Sequence, residues 1–225
     1  IGDLGDLEAG DQTSDTFYAL QDMVAQLVKN NVIPVVIGGS QDLTYALYRA
    51  FDNLDQMVNL VNVDGCFDLG DSSLPMTHKS FVGKIIVDQP YNLFNYSNLG
   101  YQTYYNSQEE IDLMEKLYFD SFRLGNTVSN LSSVEPVMRD ADVVSFDLSS
   151  VQAEVLGGMY PEKVNGFNGR EACAITRYAG LSDRVSVFGI FEYLLEGNTE
   201  TASALVAQLI WYFIEGVNYR ITESL

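Results

Sequence analysis

Met57-Val-Asn-Leu-Val-Asn-Val-Asp-Gly-Cys-Phe-Asp68 is the stretch that decides the fold. Residues 57–63 form a short run rich in aliphatic and β-branched side chains, and Asp64-Gly65 stops it. Three other stretches share this design. Residues 32–37 run into Gly38-Gly39-Ser40-Gln41-Asp42, residues 143–146 into Asp147-Leu148-Ser149-Ser150, and residues 185–191 into Glu192. Apolar runs this short, without polar alternation, suit strands buried on both faces, and helical segments separate most of them. That pattern predicts a three-layer α/β/α sandwich around a mostly parallel sheet.

The helices follow from caps and periodicity. Ser14 or Asp15 caps a helix over residues 16–30, with Phe17, Leu20, Val24, Leu27 and Val28 on one face. Residues 43–51 read as helical. Ser107 with Glu110 makes a capping box for a helix that ends near Phe119. Residues 168–179 and 199–217 are the last two helices, and Cys173 lies on an apolar face of the first. Trp211, Tyr212 and Phe213 read as core or interface anchors, with core the first choice. Residues 84–87 read as a further strand. The Tyr- and Asn-dense residues 91–105 read as a long loop packed on the sheet or against a neighbouring subunit. No repeat, linker or composition shift divides the chain, so residues 1–225 are expected to be one domain.

Composition excludes several partners. Asp and Glu number 31 against 12 Lys and Arg, a formal net charge of -19. Nucleic acid and anionic membrane surfaces need cationic side chains to neutralise phosphate, so neither is expected to bind. The two cysteines, Cys66 and Cys173, make no disulfide framework and fit a reducing cytoplasm. No stretch reaches the length of a membrane span. The most apolar helix, residues 204–214, is too short and carries Gln208.

In open parallel sheets, ligands bind beyond the carboxyl ends of the strands. Four strand ends here deliver Gln41 and Asp42, Asp64 and Asp68, Asp147, and Glu192 to one edge. Capping of the next helix accounts for Asp42. It does not account for Asp64 and Asp68 on either side of a Gly-Cys-Phe turn.

These segments, in this order, resemble the boxes of the ureohydrolase family, which includes arginase, agmatinase and formimidoylglutamase. Ile33-Pro-Val-Val-Ile-Gly-Gly-Ser-Gln-Asp-Leu43 resembles the strand that ends Gly-Gly-Asp-His-Ser. Asn62-Val-Asp-Gly-Cys-Phe-Asp68 resembles Asp-Ala-His-x-Asp, and Ser145-Phe-Asp-Leu-Ser149 resembles Ser-x-Asp-x-Asp. Gly166-Phe-Asn-Gly-Arg-Glu171 resembles the segment that opens a late helix. Gly189-Ile-Phe-Glu192 resembles the strand whose Glu faces the guanidinium or formimino group. The form with Gly-Gly-Ser-Gln-Asp looks closest to a divergent formimidoylglutamase or arginase-like branch. Set against that family, the chain is expected to lack an N-terminal strand–helix unit.

The resemblance implies hydrolysis of a guanidino or amidino C–N bond through two Mn²⁺ ions that activate water, held by two His and four Asp. Asp64, Asp68 and Asp147 match three of these ligands. Gln41 and Cys66 replace the two His, and Ser149 replaces an Asp. A thiol and a neutral amide suit Mn²⁺ poorly, so a complete binuclear centre is not expected. Converging carboxylates without a cation raise one another's pKa. Relief would come from one divalent ion on Asp64, Asp68, Asp147 and Gln41, from an internal cation such as Lys79 or Arg170, or from loops that turn the acids to water.

Two other residues carry alternatives. His78, the chain's one histidine, lies near the family's proton-shuttle position, and otherwise reads as a surface or capping residue. Glu192 reads either as the substrate-binding carboxylate or as a strand-end acid paired with an Arg. Cys66 with His78 as base would make a metal-free amidine hydrolase; the plainer reading is a small buried hydrophobe. The functional expectation is a hydrolase acting on a formiminoglutamate- or arginine-like compound through an altered metal site. The alternative is a degenerate member that binds a small molecule or protein partner. Family members are commonly homo-oligomers, so one is expected here.

Overall fold

A computed structural model describes residues 1–54, 56–195 and 200–220. Its strands are β1 (Val35–Ile37), β2 (Val58–Val63), β3 (Leu93–Tyr101), β4 (Asp120–Arg123), β5 (Val143–Asp147) and β6 (Val187–Phe191). Its helices are α1 (Thr13–Lys29), α2 (Thr44–Arg49), α3 (Phe81–Val87), α4 (Gln108–Lys116), α5 (Leu124–Ser129), α6 (Val134–Arg139), α7 (Gly169–Leu181) and α8 (Glu200–Asn218). The strands form one sheet in the order β1-β6-β5-β2-β3-β4. Every pairing is parallel.

Period-two alternation assigns the side chains to two layers. Val61 and Val63 of β2, Val144 and Phe146 of β5, and Phe188 and Ile190 of β6 pack with α5, α6, α7 and α8. Val58 and Leu60, Val143, Val187 and Phe191 face α1, α2, α3 and α4. Both faces of the sheet are thus covered, which is why the strands read as continuous apolar runs. The Phe188 and Phe213 rings stack at 4.6 Å across one layer. Burying a side chain of that size contributes roughly 1.5–3 kcal/mol.

The strand order places the site. After β2 the chain moves outward through β3 and β4, then returns to β5 on the other side of β2 and continues to β6. β2 and β5 are therefore neighbours whose connections diverge, and this switch point opens a crevice at their carboxyl ends.

The structure corrects several expectations. Residues 84–87 belong to helix α3, because Ser80 starts a turn whose face Phe81, Val82 and Ile85 is buried. The Tyr/Asn-rich segment is β3, not a loop; its polar residues serve the site described below. β4, α5 and α6 carry too little apolar periodicity to be legible. Gln12, not Ser14 or Asp15, is the N-cap of α1. Trp211 is 68% exposed while Phe213 is 2% exposed, so the core anchor on α8 is Phe213 and not Trp211. The Ser107–Glu110 capping box, the Asn168 start of α7 and the buried Cys173 match the sequence reading. Thr199, the expected first residue of the last helix, lies outside the described residues.

Candidate active site

The turn after β2 brings Asp64 and Asp68 to the crevice. Asp64 Oδ1 accepts the Cys66 N–H (2.8 Å), which folds the carboxylate back over its own turn. The turn has few partners of its own, and the Asn/Tyr-rich elements supply them. Asn106 Oδ1 accepts the Phe67 N–H (2.8 Å), and its Nδ2 donates to the carbonyls of Gly65 (3.0 Å) and Gln102 (2.8 Å). Asn98 Nδ2 donates to the Cys66 carbonyl (2.7 Å), and the Tyr96 hydroxyl donates to that of Phe67 (3.2 Å). Asp68 itself sits at φ 55°, a left-handed conformation that Asp tolerates better than most residues.

Asp147 ends β5. Its Oδ1 accepts the Ser149 N–H (2.6 Å) and its Oδ2 the Ser149 hydroxyl (2.6 Å). Ser149 thus serves as a partner of Asp147. Glu192, just past β6, is also left-handed at φ 59°. Its Oε1 accepts the Gln41 N–H (2.8 Å) and its Oε2 the Tyr160 hydroxyl (3.3 Å), which also donates to the Glu192 carbonyl (2.7 Å). No Arg pairs with it among the described residues, so the strand-end Glu–Arg alternative is not what forms. Gln41 is buried and points its Nε2 toward Ser145 Oγ (3.4 Å).

The electrostatics follow from burial. Asp64 is 1% exposed, and Asp68 and Asp147 are each 5% exposed. Desolvation, then the neighbouring charge of Asp68, holds the Asp64 carboxyl well above the usual range. Desolvation and Asp64 do the same to Asp147. Desolvation raises Asp68 to about 7, against the pull of its hydrogen bond with Asp64. Burial and mutual charge thus work against ionising these carboxyls together. Asp64 Oδ2 and Asp68 Oδ2 are buried without a hydrogen-bond partner.

Burial and the same acids push the Cys66 thiol up, away from the thiolate a nucleophile needs. His78 lies in an exposed turn before α3, and no hydrogen bond or ion pair joins it to Cys66 among the described residues. Cys66 and His78 are thus not assembled as a catalytic pair. Lys79 and Arg170, the expected internal cations, are both exposed. The cation whose field reaches Asp64 and Cys66 is Lys163. Its Nζ lies 3.9 Å from the centroid of the Tyr105 ring, which packs on Gly65. Nothing in the sequence marks Lys163 or Tyr160, because both arrive on the loop between β5 and α7. Asn98 and Asn106 had a signal: an Asn-rich segment has to bond something.

The donor chemistry does not fit two Mn²⁺ ions. Among the described residues no group of three or more His, Cys, Asp or Glu is gathered so as to hold a metal ion. Asp147 is turned to Ser149, and a soft thiol and an amide stand where imidazoles would be needed. What the cluster does present is two buried, unpartnered carboxylate oxygens, Asp64 Oδ2 and Asp68 Oδ2.

The family model described as "Arginase family" matches residues 1–215. The chain belongs to the arginase family. A formimidoylglutamase of Staphylococcus haemolyticus is 25% identical over 94% of this chain and 71% of its own length. The crystal structure of Trypanosoma cruzi formiminoglutamase with Mn²⁺ superposes with a TM-score of 0.86 at 15% identity, covering 94% of this chain and 74% of that one. The agmatine ureohydrolase of Thermoplasma volcanium gives 0.78 at 22% identity, covering 97% and 73%. These likenesses establish the arginase fold for the sheet and its two helical layers.

Proposed function

We propose that this arginase-family chain hydrolyses a formimino or guanidino C–N bond in a small amino-acid derivative of formiminoglutamate type, at an altered site that takes one divalent cation. The observation that carries this reading is the pair of buried oxygens, Asp64 Oδ2 and Asp68 Oδ2, that no donor satisfies. Leaving such acceptors unmatched costs about 1–3 kcal/mol each, and a hard cation removes that cost. The formimidoylglutamase relative supports the choice of substrate class.

Asp64 and Asp68 would hold the cation, with Asp147 and the Gln41 amide oxygen as further oxygen donors. A bound Mn²⁺ supplies Lewis-acid activation of water and of the scissile carbon. The chain's own residues do the rest. Glu192, fixed from one side by Gln41 and from the other by Tyr160, offers a carboxylate to a planar amidinium, which donates paired N–H groups. His78, in its exposed turn, would be the candidate proton shuttle that the family resemblance implies. The two free thiols suit a reducing compartment such as the cytoplasm. Exposed Trp211 on α8 gives a homo-oligomer a candidate contact.

A second reading has one observation in its favour. Burial raises both carboxyls toward their neutral forms and Lys163 adds a positive field at Asp64, which would let the pair stand without metal. That state would bind a small molecule or partner without turnover. Formiminoglutamate hydrolysis by the full chain in Mn²⁺ separates the two. Turnover that falls at least a hundredfold in Asp64→Ala is expected; no turnover by the parent chain on formiminoglutamate, arginine or agmatine would leave the binding-only reading.

A further inference from the structure

Away from the acid cluster, the carboxyl edge of the sheet carries a second concave site. Two adjoining cavities, of about 220 and 300 Å³, share Leu124, Gly125 and Asn165 and so form one groove. The first is lined by Arg123, the last residue of edge strand β4, in register with Tyr101 of β3. The second reaches Glu171 at the start of α7; Glu171 Oε2 accepts the Asn168 N–H (2.9 Å) in the capping box, and Glu171 Oε1 is left for another donor.

Among the described residues the side chains of two arginines, Arg123 and Arg170, have no ion pair or hydrogen bond, and of these Arg123 lines the groove. Arg49, Arg139, Arg177 and Arg184 pair with acids, and Arg220 donates to backbone carbonyls. Among the described residues the Arg123 guanidinium has neither an ion pair nor a hydrogen bond, in a chain where acids outnumber cations by 31 to 12. The wall beside it is set in advance. Gln102 Nε2 donates to the Asn165 carbonyl (3.0 Å), while Gln102 Oε1 accepts from Asn165 Nδ2 (3.1 Å) and from the Tyr104 hydroxyl. Gly125 forms the lip, and a Cβ added there would meet nothing within 4 Å.

We infer that this groove binds a small carboxylate-bearing molecule of amino-acid type, its carboxylate on Arg123 and its cationic nitrogen toward Glu171. One planar guanidinium matches one planar carboxylate through two parallel hydrogen bonds. A phosphate, with about two charges, would ask for more than one cation and would be repelled by Glu171 and by the chain's net charge. A zwitterion satisfies both ends.

L-glutamate is the probe, titrated into the full chain by calorimetry. Saturable binding is expected, weakened roughly tenfold or more in Arg123→Gln, the usual consequence of losing a charge-assisted pair. Gly125→Phe, whose Cβ would meet nothing within 4 Å and whose ring would occupy the groove, should abolish it, and Asp64→Asn should leave it unchanged. Because Asp64 belongs to the proposed hydrolytic site, the last variant separates this groove from that reading. No saturable binding by the parent chain, equal affinity in Arg123→Gln and Gly125→Phe, or loss confined to Asp64→Asn would each overturn the proposal.

Discussion

At the β2–β5 end of the sheet's carboxyl edge, three carboxylates are buried with no ion pair. At the β3–β4 end, the Arg123 guanidinium is exposed with no ion pair among the described residues. Both are unpaired charges, yet only the first is under electrostatic stress. A buried carboxylate must take a proton or a cation, because desolvation disfavours its charged form. An exposed guanidinium keeps its charge at no cost, because water solvates it. The contrast teaches that the acid cluster is a site by what its burial demands, and the Arg123 groove by what its exposure leaves available.

The pH dependence tests the stress most strongly. Asp68 is raised in the folded state, from the ordinary value of 3.8 to about 7. The folded protein therefore holds that proton more tightly than the unfolded chain. The stability this contributes is fully present below about pH 4 and is lost as pH rises through about 7, on the order of 4 kcal/mol. Urea unfolding of metal-free protein across that range should fall more steeply for the parent than for Asp68→Asn. Parallel profiles would mean that the carboxyl is not raised, and the contrast between the two ends would fail.

A smaller effect tests what holds the acids in place. Asn106→Ala removes one bond to the Phe67 N–H and two from Nδ2, which should destabilise the chain by about 2–3 kcal/mol. An unchanged urea midpoint would mean that the turn is held by other contacts. The smallest effect belongs to the other end: Arg123→Gln should shift stability by less than about 0.5 kcal/mol, as for surface residues without partners. A larger loss would show that Arg123 has a structural role, and the unstressed half of the comparison would be wrong.

Particular residues show what could be read from the sequence. β2, β5 and β6 were legible because burial on both faces makes them continuously apolar, and the acids at their ends were legible as strand-end polar residues. β3 was hidden: Asn95, Ser97 and Asn98 give it the composition of a loop, yet they face polar partners along the strand and at its end. α3 misread as a strand because Lys84-Ile-Ile-Val87 is too short to show a helical period. The roles of Tyr160 and Lys163 depend on where an irregular loop comes down, which periodicity does not encode. Ser149 was read as a lost ligand; its bonds to Asp147 appear only when the 3-10 turn forms.

The most direct test of the single-cation site is metal content after dialysis of the full chain against trace Mn²⁺, by elemental analysis. One ion per chain is predicted for the parent and none for Asp64→Asn. Two ions per chain, or none, would contradict it.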